Sequence, residues 1–160
     1  MAFRLVRSAG SVQDPAFVDM YASGVVNPGS VVQWAAFGAT EGMGQIAPAL
    51  ATSTITSIIG VCLDYAQGAS DKQVRVIPFV PGQIWEADCT NAVTTLHIGK
   101  RHALTDNVTL ANTSYDTSTA VGIFLCYNLV GATGDKKLIG EFIKVGNTGL
   151  GIRDNVAGAY

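Results

Sequence analysis

The apolar residues of this chain alternate with polar ones far more often than they recur at helical spacing. Residues 58–88 hold three strand-like runs separated by turn residues. In the first, Ile59, Val61, Leu63 and Tyr65 fall on one face and Gly60, Cys62 and Asp64 on the other, the period of a half-buried strand. Residues 67–72 form a polar, glycine-containing break, and residues 74–79 a run rich in β-branched side chains. Pro81-Gly82 suits the centre of a type II turn, because proline presets φ and glycine accepts the positive φ that follows. Residues 83–88 then place Trp85 and Ala87 on one face and Glu86 and Asp88 on the other. Trp85 and the Ile59, Val61, Leu63 face are therefore expected in the core.

The flanks repeat the theme. Pro28-Gly29 is a second such turn, and after it Val32, Trp34 and Ala36 share a strand face. Residues 101–105 and 108–110 read as short strands about an Asp106-Asn107 turn, and residues 138–145 as a last strand after a turn at 131–137. Residues 120–130 are apolar on both faces, so that strand is either central in a sandwich or covered by another subunit. Residues 38–51 and 112–119 read as loops, and residues 90–99 as irregular, with Asn91 placed to cap a helical turn. One short helix is expected from Asp14-Pro15, an N-cap followed by proline, with Phe17, Val18 and Tyr21 at helical spacing and Gly24 at its end.

These elements predict a mainly β protein: a single β-sandwich or β-barrel-like domain over residues 25–145, with an N-terminal arm (1–24, including the short helix) and a C-terminal arm (146–160). The arms show no sustained period, yet they carry Phe3, Leu5, Val6, Leu150, Ile152, Val156 and Tyr160. Those seven side chains are the candidate contacts to a partner or a neighbouring copy.

Charge sharpens the picture. Ten Lys and Arg stand against twelve Asp and Glu, a net charge of −2, which gives no footprint for nucleic acid or an anionic membrane. Only 14% of residues are charged, which suits a protein with part of its surface covered by neighbours. Residues 42–63 and 117–134 are free of charge, but buried strands with polar turns account for both, and no membrane span is expected. Cys62, Cys89 and Cys126 are odd in number and lack metal or redox spacing, so they read as apolar fillers. The first ten residues have no signal-peptide core, so folding in a reducing cytoplasm is expected and the sequons at Asn107 and Asn112 carry no meaning.

Catalytic signatures are weak. His97 and His102 are five apart with Gly99 between them, the wrong spacing for a zinc pair on a helix, and Cys89 and Asp106 do not complete a ligand set. Residues 38–44 are glycine-rich without the lysine of a phosphate loop, and residues 131–137 have Lys136 and Lys137 without its spacing. Glu86 and Asp88 share a strand face about 7 Å apart, but solvated strand carboxylates are the simpler reading. No enzyme, metal or cofactor is expected.

The order of the strand signatures is similar to that of the capsid decoration (cement) proteins of tailed bacteriophages, whose central module is a β-tulip. The segments that carry the resemblance are VVNPGSVVQW (25–34), IIGVCLDYAQGASDKQVRVIPF (58–79), FVPGQIWEAD (79–88) and GIFLCYNLVGATGDKKLIGEFI (122–143). The resemblance implies a structural virion protein, made in the bacterial cytoplasm and bound to the outer capsid surface. Its partners would be the major capsid protein and neighbouring copies of itself, commonly as a trimer. It carries over no catalytic or ligand residue. The alternative is a receptor- or glycan-binding β module of a virion, which would need an exposed aromatic cluster.

Overall fold

The computed structural model describes residues 3–7, 17–35, 45–67, 72–116 and 122–143. Thirteen strands dominate it, and the one helical element among the described residues is a 3-10 turn at Thr95–His97. Five strands close a barrel: β2 (Val18–Ala22), β4 (Val31–Trp34), β5 (Gln45–Pro48), β6 (Ile58–Cys62) and β8 (Lys72–Pro78), in the order β2-β5-β4-β6-β8. Its one parallel pairing is β2 with β5. Six more form an antiparallel sheet in the order β1 (Phe3–Arg7), β9 (Ile84–Asp88), β13 (Lys137–Phe142), β12 (Phe124–Leu129), β10 (Arg101–Asp106), β11 (Thr109–Asp116). A two-stranded ribbon, β3 (Val25–Val26) with β7 (Ala66–Gln67), completes the set.

Two apolar clusters follow from this layout. One fills the barrel with Met20, Ala22, Val32, Ile46, Ile59, Cys62, Val74 and Val76, against which Trp34 packs half-buried. The other joins the outside of the barrel (Val31, Ile58, Val61, Ile77) to the inner face of the sheet (Phe3, Trp85, Phe124, Leu138, Phe142). Because β6 serves both, it is buried along its whole length, not on one face as its alternation suggests. Its pairing with β4 slips by one residue between Val32 and Gln33, and that extra residue breaks the period of two. Ile59 consequently enters the barrel while Val61 joins the inter-layer core, and Leu63, expected beside them, is exposed.

Both Pro-Gly turns form as read: Gly29 and Gly82 have φ of 82° and 85°, a region that only glycine enters without strain. Five expectations are corrected. The helix expected from Asp14 is instead strand β2 over Val18–Ala22, with Met20 and Ala22 inward and Asp19 and Tyr21 outward. About two helical turns cannot compete with a five-residue ladder to β8 that buries those side chains. The N-terminal stretch expected as an irregular arm carries β1, paired with β9 from Phe3↔Ala87 to Arg7↔Ile84. Part of the 38–51 loop is strand β5, and β11 runs through what read as a loop from 112. Residues 90–99 do make a helical turn, but Thr94 and not Asn91 occupies its N-cap.

Candidate functional site

Of the seven candidate contact residues, three lie in the described structure. Phe3 is 2% exposed, its ring 5.2 Å from that of Phe142, so it belongs to the fold's own core and is unavailable to a partner. Leu5 is half-buried beside it, and Val6 points outward. Leu150, Ile152, Val156 and Tyr160 lie outside the described residues.

The outer face of the sheet brings Glu86 and Asp88 together as the alternation of β9 requires. Glu86 accepts hydrogen bonds from the Arg4 guanidinium (2.7 Å) and the Lys137 ammonium (2.8 Å), and Lys137 also reaches Asp88 at 3.2 Å. The Lys137 hydrogen bond, aided by Arg4, holds the Glu86 carboxyl below its ordinary pKa. The pair thus acts as a clamp across β1, β9 and β13, three strands that no sequence pattern brings together.

The outer face of the barrel presents a feature that sequence reasoning missed. Phe17, Tyr21 and Tyr65 are 52%, 45% and 46% exposed, and each is bordered by a polar group. The Arg75 guanidinium lies over Phe17 (5.6 Å to the ring centroid), Gln73 Nε2 donates to the Tyr21 hydroxyl (3.2 Å), and Lys72 Nζ lies 5.8 Å from the Tyr65 ring. Asp64 anchors this face by accepting three bonds from Arg75, one from its backbone N–H (2.8 Å) and two from its side chain (3.0 and 2.7 Å). The Arg75 hydrogen bonds hold the Asp64 carboxyl below its usual range. The signal was present as Phe17 and Tyr21 spaced by four, but that spacing reads as helical until β8 is known to lie alongside.

The histidines are structural. Both are buried, with rings 5.5 Å apart. His97 Nδ1 lies 2.9 Å from both the N–H and the carbonyl oxygen of Thr94, and Nε2 lies 3.1 Å from the Asn112 carbonyl oxygen. Burial pushes the His102 pKa down. Asn112 is itself buried, its side chain bonded to the backbone of Asn91 and Ala92, so its sequon is inaccessible. The three thiols are buried and unpaired by disulfides, and desolvation raises Cys89 to about 12 and Cys126 to about 11. Such thiols are poor nucleophiles and poor ligands. Among the described residues no group of three or more His, Cys, Asp or Glu is placed to hold a metal ion, and no helix is long and apolar enough to cross a membrane.

One apolar cleft lies where the sheet edge meets the barrel. It has a volume of about 220 Å³ and is lined by β1 (Phe3, Leu5), the Pro28-Gly29 turn, Leu63 and Trp85.

Barrel, sheet and cleft together define an all-β fold in which a closed barrel is covered by a curled antiparallel sheet. This fold is shared with the crystal structure of the head fiber gp8.5 N base in bacteriophage phi29, at a TM-score of 0.50 and 13% sequence identity, over 82% of this chain and 98% of that one. No family model and no curated protein matches the sequence.

Proposed function

We propose that this chain is a structural protein of a bacteriophage virion, a decoration protein on the outer surface of the head. The observation that carries this reading is the fold shared with the head fiber base over nearly the whole of that chain. The order of strand signatures and the low share of charged residues point the same way. In this reading the chain bridges major capsid subunits as a trimer or as neighbouring copies, with no catalysis. The barrel face bearing Phe17, Tyr21 and Tyr65 supplies contacts of the kind that become buried at protein interfaces, where aromatic side chains and Arg concentrate. Heads lacking the protein should bind it saturably and then resist heat or chelation better. Co-sedimentation of purified chain with such heads measures the first, and DNA release on heating the second. Failure of the chain to bind any head surface removes the decoration reading.

That same aromatic face favours a second reading, a receptor- or glycan-binding module of the virion, because exposed rings flanked by Arg, Gln and Asp also suit sugar rings. The combined variant Phe17→Ser, Tyr21→Ser and Tyr65→Ser separates the two. Loss of head binding supports decoration, whereas intact head binding with loss of adsorption to host cells supports receptor recognition.

A further inference from the structure

The two edges of the six-stranded sheet are finished differently. At β11, residues 89–91 run alongside: the Thr90 N–H donates to the Leu110 carbonyl (3.0 Å), and the Asn112 side chain bonds the backbone of Asn91. β1, at the other end of the order, has no such cover among the described residues beyond Gly29, whose carbonyl accepts the Phe3 N–H at 3.3 Å. Phe3 thus donates away from β9. Backbone groups of alternate residues point to the same side of a strand, so the N–H and C=O of Leu5 face outward as well. The register slip between Leu5 and Arg7 ends the regular edge there. The open stretch is therefore short and centred on Leu5.

The apolar cleft opens beside that stretch. Leu5, Val61, Leu63 and Ile77 line it, so a side chain entering there passes between the sheet and the barrel. Its one charged lining residue, Arg4, is held by Glu86 on the outer face of the sheet. Trp85 lines it too, at 1% exposure, and its Nε1–H has no hydrogen-bond partner among the described residues. A buried donor left without an acceptor is costly, so an acceptor brought in by a ligand is favoured. The volume of about 220 Å³ falls below the roughly 300–1,000 Å³ of small-molecule sites, which leaves room for aliphatic side chains and not for a cofactor.

We infer that this edge takes up an extended, uncharged segment of a partner polypeptide, which adds a short strand to β1 and seats an aliphatic side chain in the cleft. The backbone of the segment pairs with the N–H and C=O of Leu5, and one of its carbonyls accepts the Trp85 Nε1–H. An extended polypeptide is the class of ligand that offers donors and acceptors along one edge and apolar side chains at every second residue. With Arg4 engaged elsewhere, the cleft holds no charge to pair an acidic or basic side chain, and burying one there unpaired is prohibitive. A second copy of this chain fits poorly, because its β11 edge is covered and its β1 edge is closed at Phe3. The inference concerns binding by the isolated chain and does not depend on the virion reading.

Titration of the full chain with the peptide acetyl-Thr-Val-Thr-Leu-Thr-Val-Thr-amide, up to millimolar concentration, tests it by nuclear magnetic resonance. The Leu5 amide should exchange more slowly as peptide is added, and the Trp85 indole proton should move downfield as it gains an acceptor. The same peptide with Asp in place of Leu should bind more weakly on the order of tenfold, the scale of one buried aliphatic side chain. Leu63→Asp, at a residue on the exposed rim of the cleft, should weaken the parent peptide by a similar factor. Three results would overturn the proposal: neither signal responds, both peptides bind equally, or the Leu5 amide is already protected in the free chain. The last would show that the chain itself or a second copy covers the edge. The comparison of peptides stands even if the Leu63→Asp variant fails to fold.

Discussion

Phe142 shows how much of the inter-layer core rests on single side chains. Its ring stacks on Phe79 (3.9 Å), meets Trp85 and Phe124 edge-on, and tilts against Phe3. Phe142→Ala and Trp85→Ala should each cost about 3–5 kcal/mol, read as a shift in the denaturant midpoint at constant slope. At Gly60 the constraint is space: a Cβ there would run into the Ile77 carbonyl where β8 crosses β6. Gly60→Ala should therefore destabilise by about 1–3 kcal/mol, although alanine is ordinarily the better strand residue. Trp85 was legible as core because the alternation of β9 is unbroken. Leu63 was not, because it continues a pattern that ends where the chain leaves the barrel.

At the scale of elements, local pattern succeeded where a strand pairs with a near neighbour through a turn and failed where its partner is remote. The hairpin of β12 and β13 and both Pro-Gly turns could be read directly. β1 could not, because five residues carry too little periodicity and β9 lies far along the chain. β2 was misread for a related reason: its neighbours are β8 and β5, and only their presence makes period two the better fit. The candidate contacts suffered accordingly, since Phe3 was assigned outward for want of a visible partner. Phe3→Ala should cost about 3–5 kcal/mol, and a melting temperature equal to that of the parent would return β1 to the status of a loose arm. Glu86→Gln tests the clamp on the other face. It should weaken the fold by about 1 kcal/mol at neutral pH and have little effect once acid has protonated the parent carboxyl.

For the whole molecule, the buried His102 and the clamped carboxylates Glu86 and Asp64 set the acid side of the stability curve. Burial keeps the His102 pKa below 6.5, so the unfolded chain takes up the proton first. The stability due to the neutral ring is full above 6.5 and falls as the pH drops below it. The folded Glu86 carboxyl titrates below 4.5, so its contribution is present above 4.5 and is lost as the pH falls through that lower folded value. Stability should decline in two stages, and His102→Gln should remove the first while leaving the second. A single transition below pH 4.5 in the parent would show that His102 does not matter.

All five barrel strands lie between Val18 and Pro78, whereas the sheet is made of Phe3–Arg7 and of strands that begin at Ile84. The barrel is thus inserted into the sheet's stretch of chain, and this orders events during synthesis. Arg4 precedes its partner Glu86 by 82 positions, which at roughly 5–20 residues per second is a wait of about 4–16 s on the ribosome. During that wait Phe3 and Leu5 have no sheet to join, while the barrel strands can all find one another. Phe3 and Leu5 are thus made before the barrel strands but placed after them, and the sheet forms over a barrel that already exists.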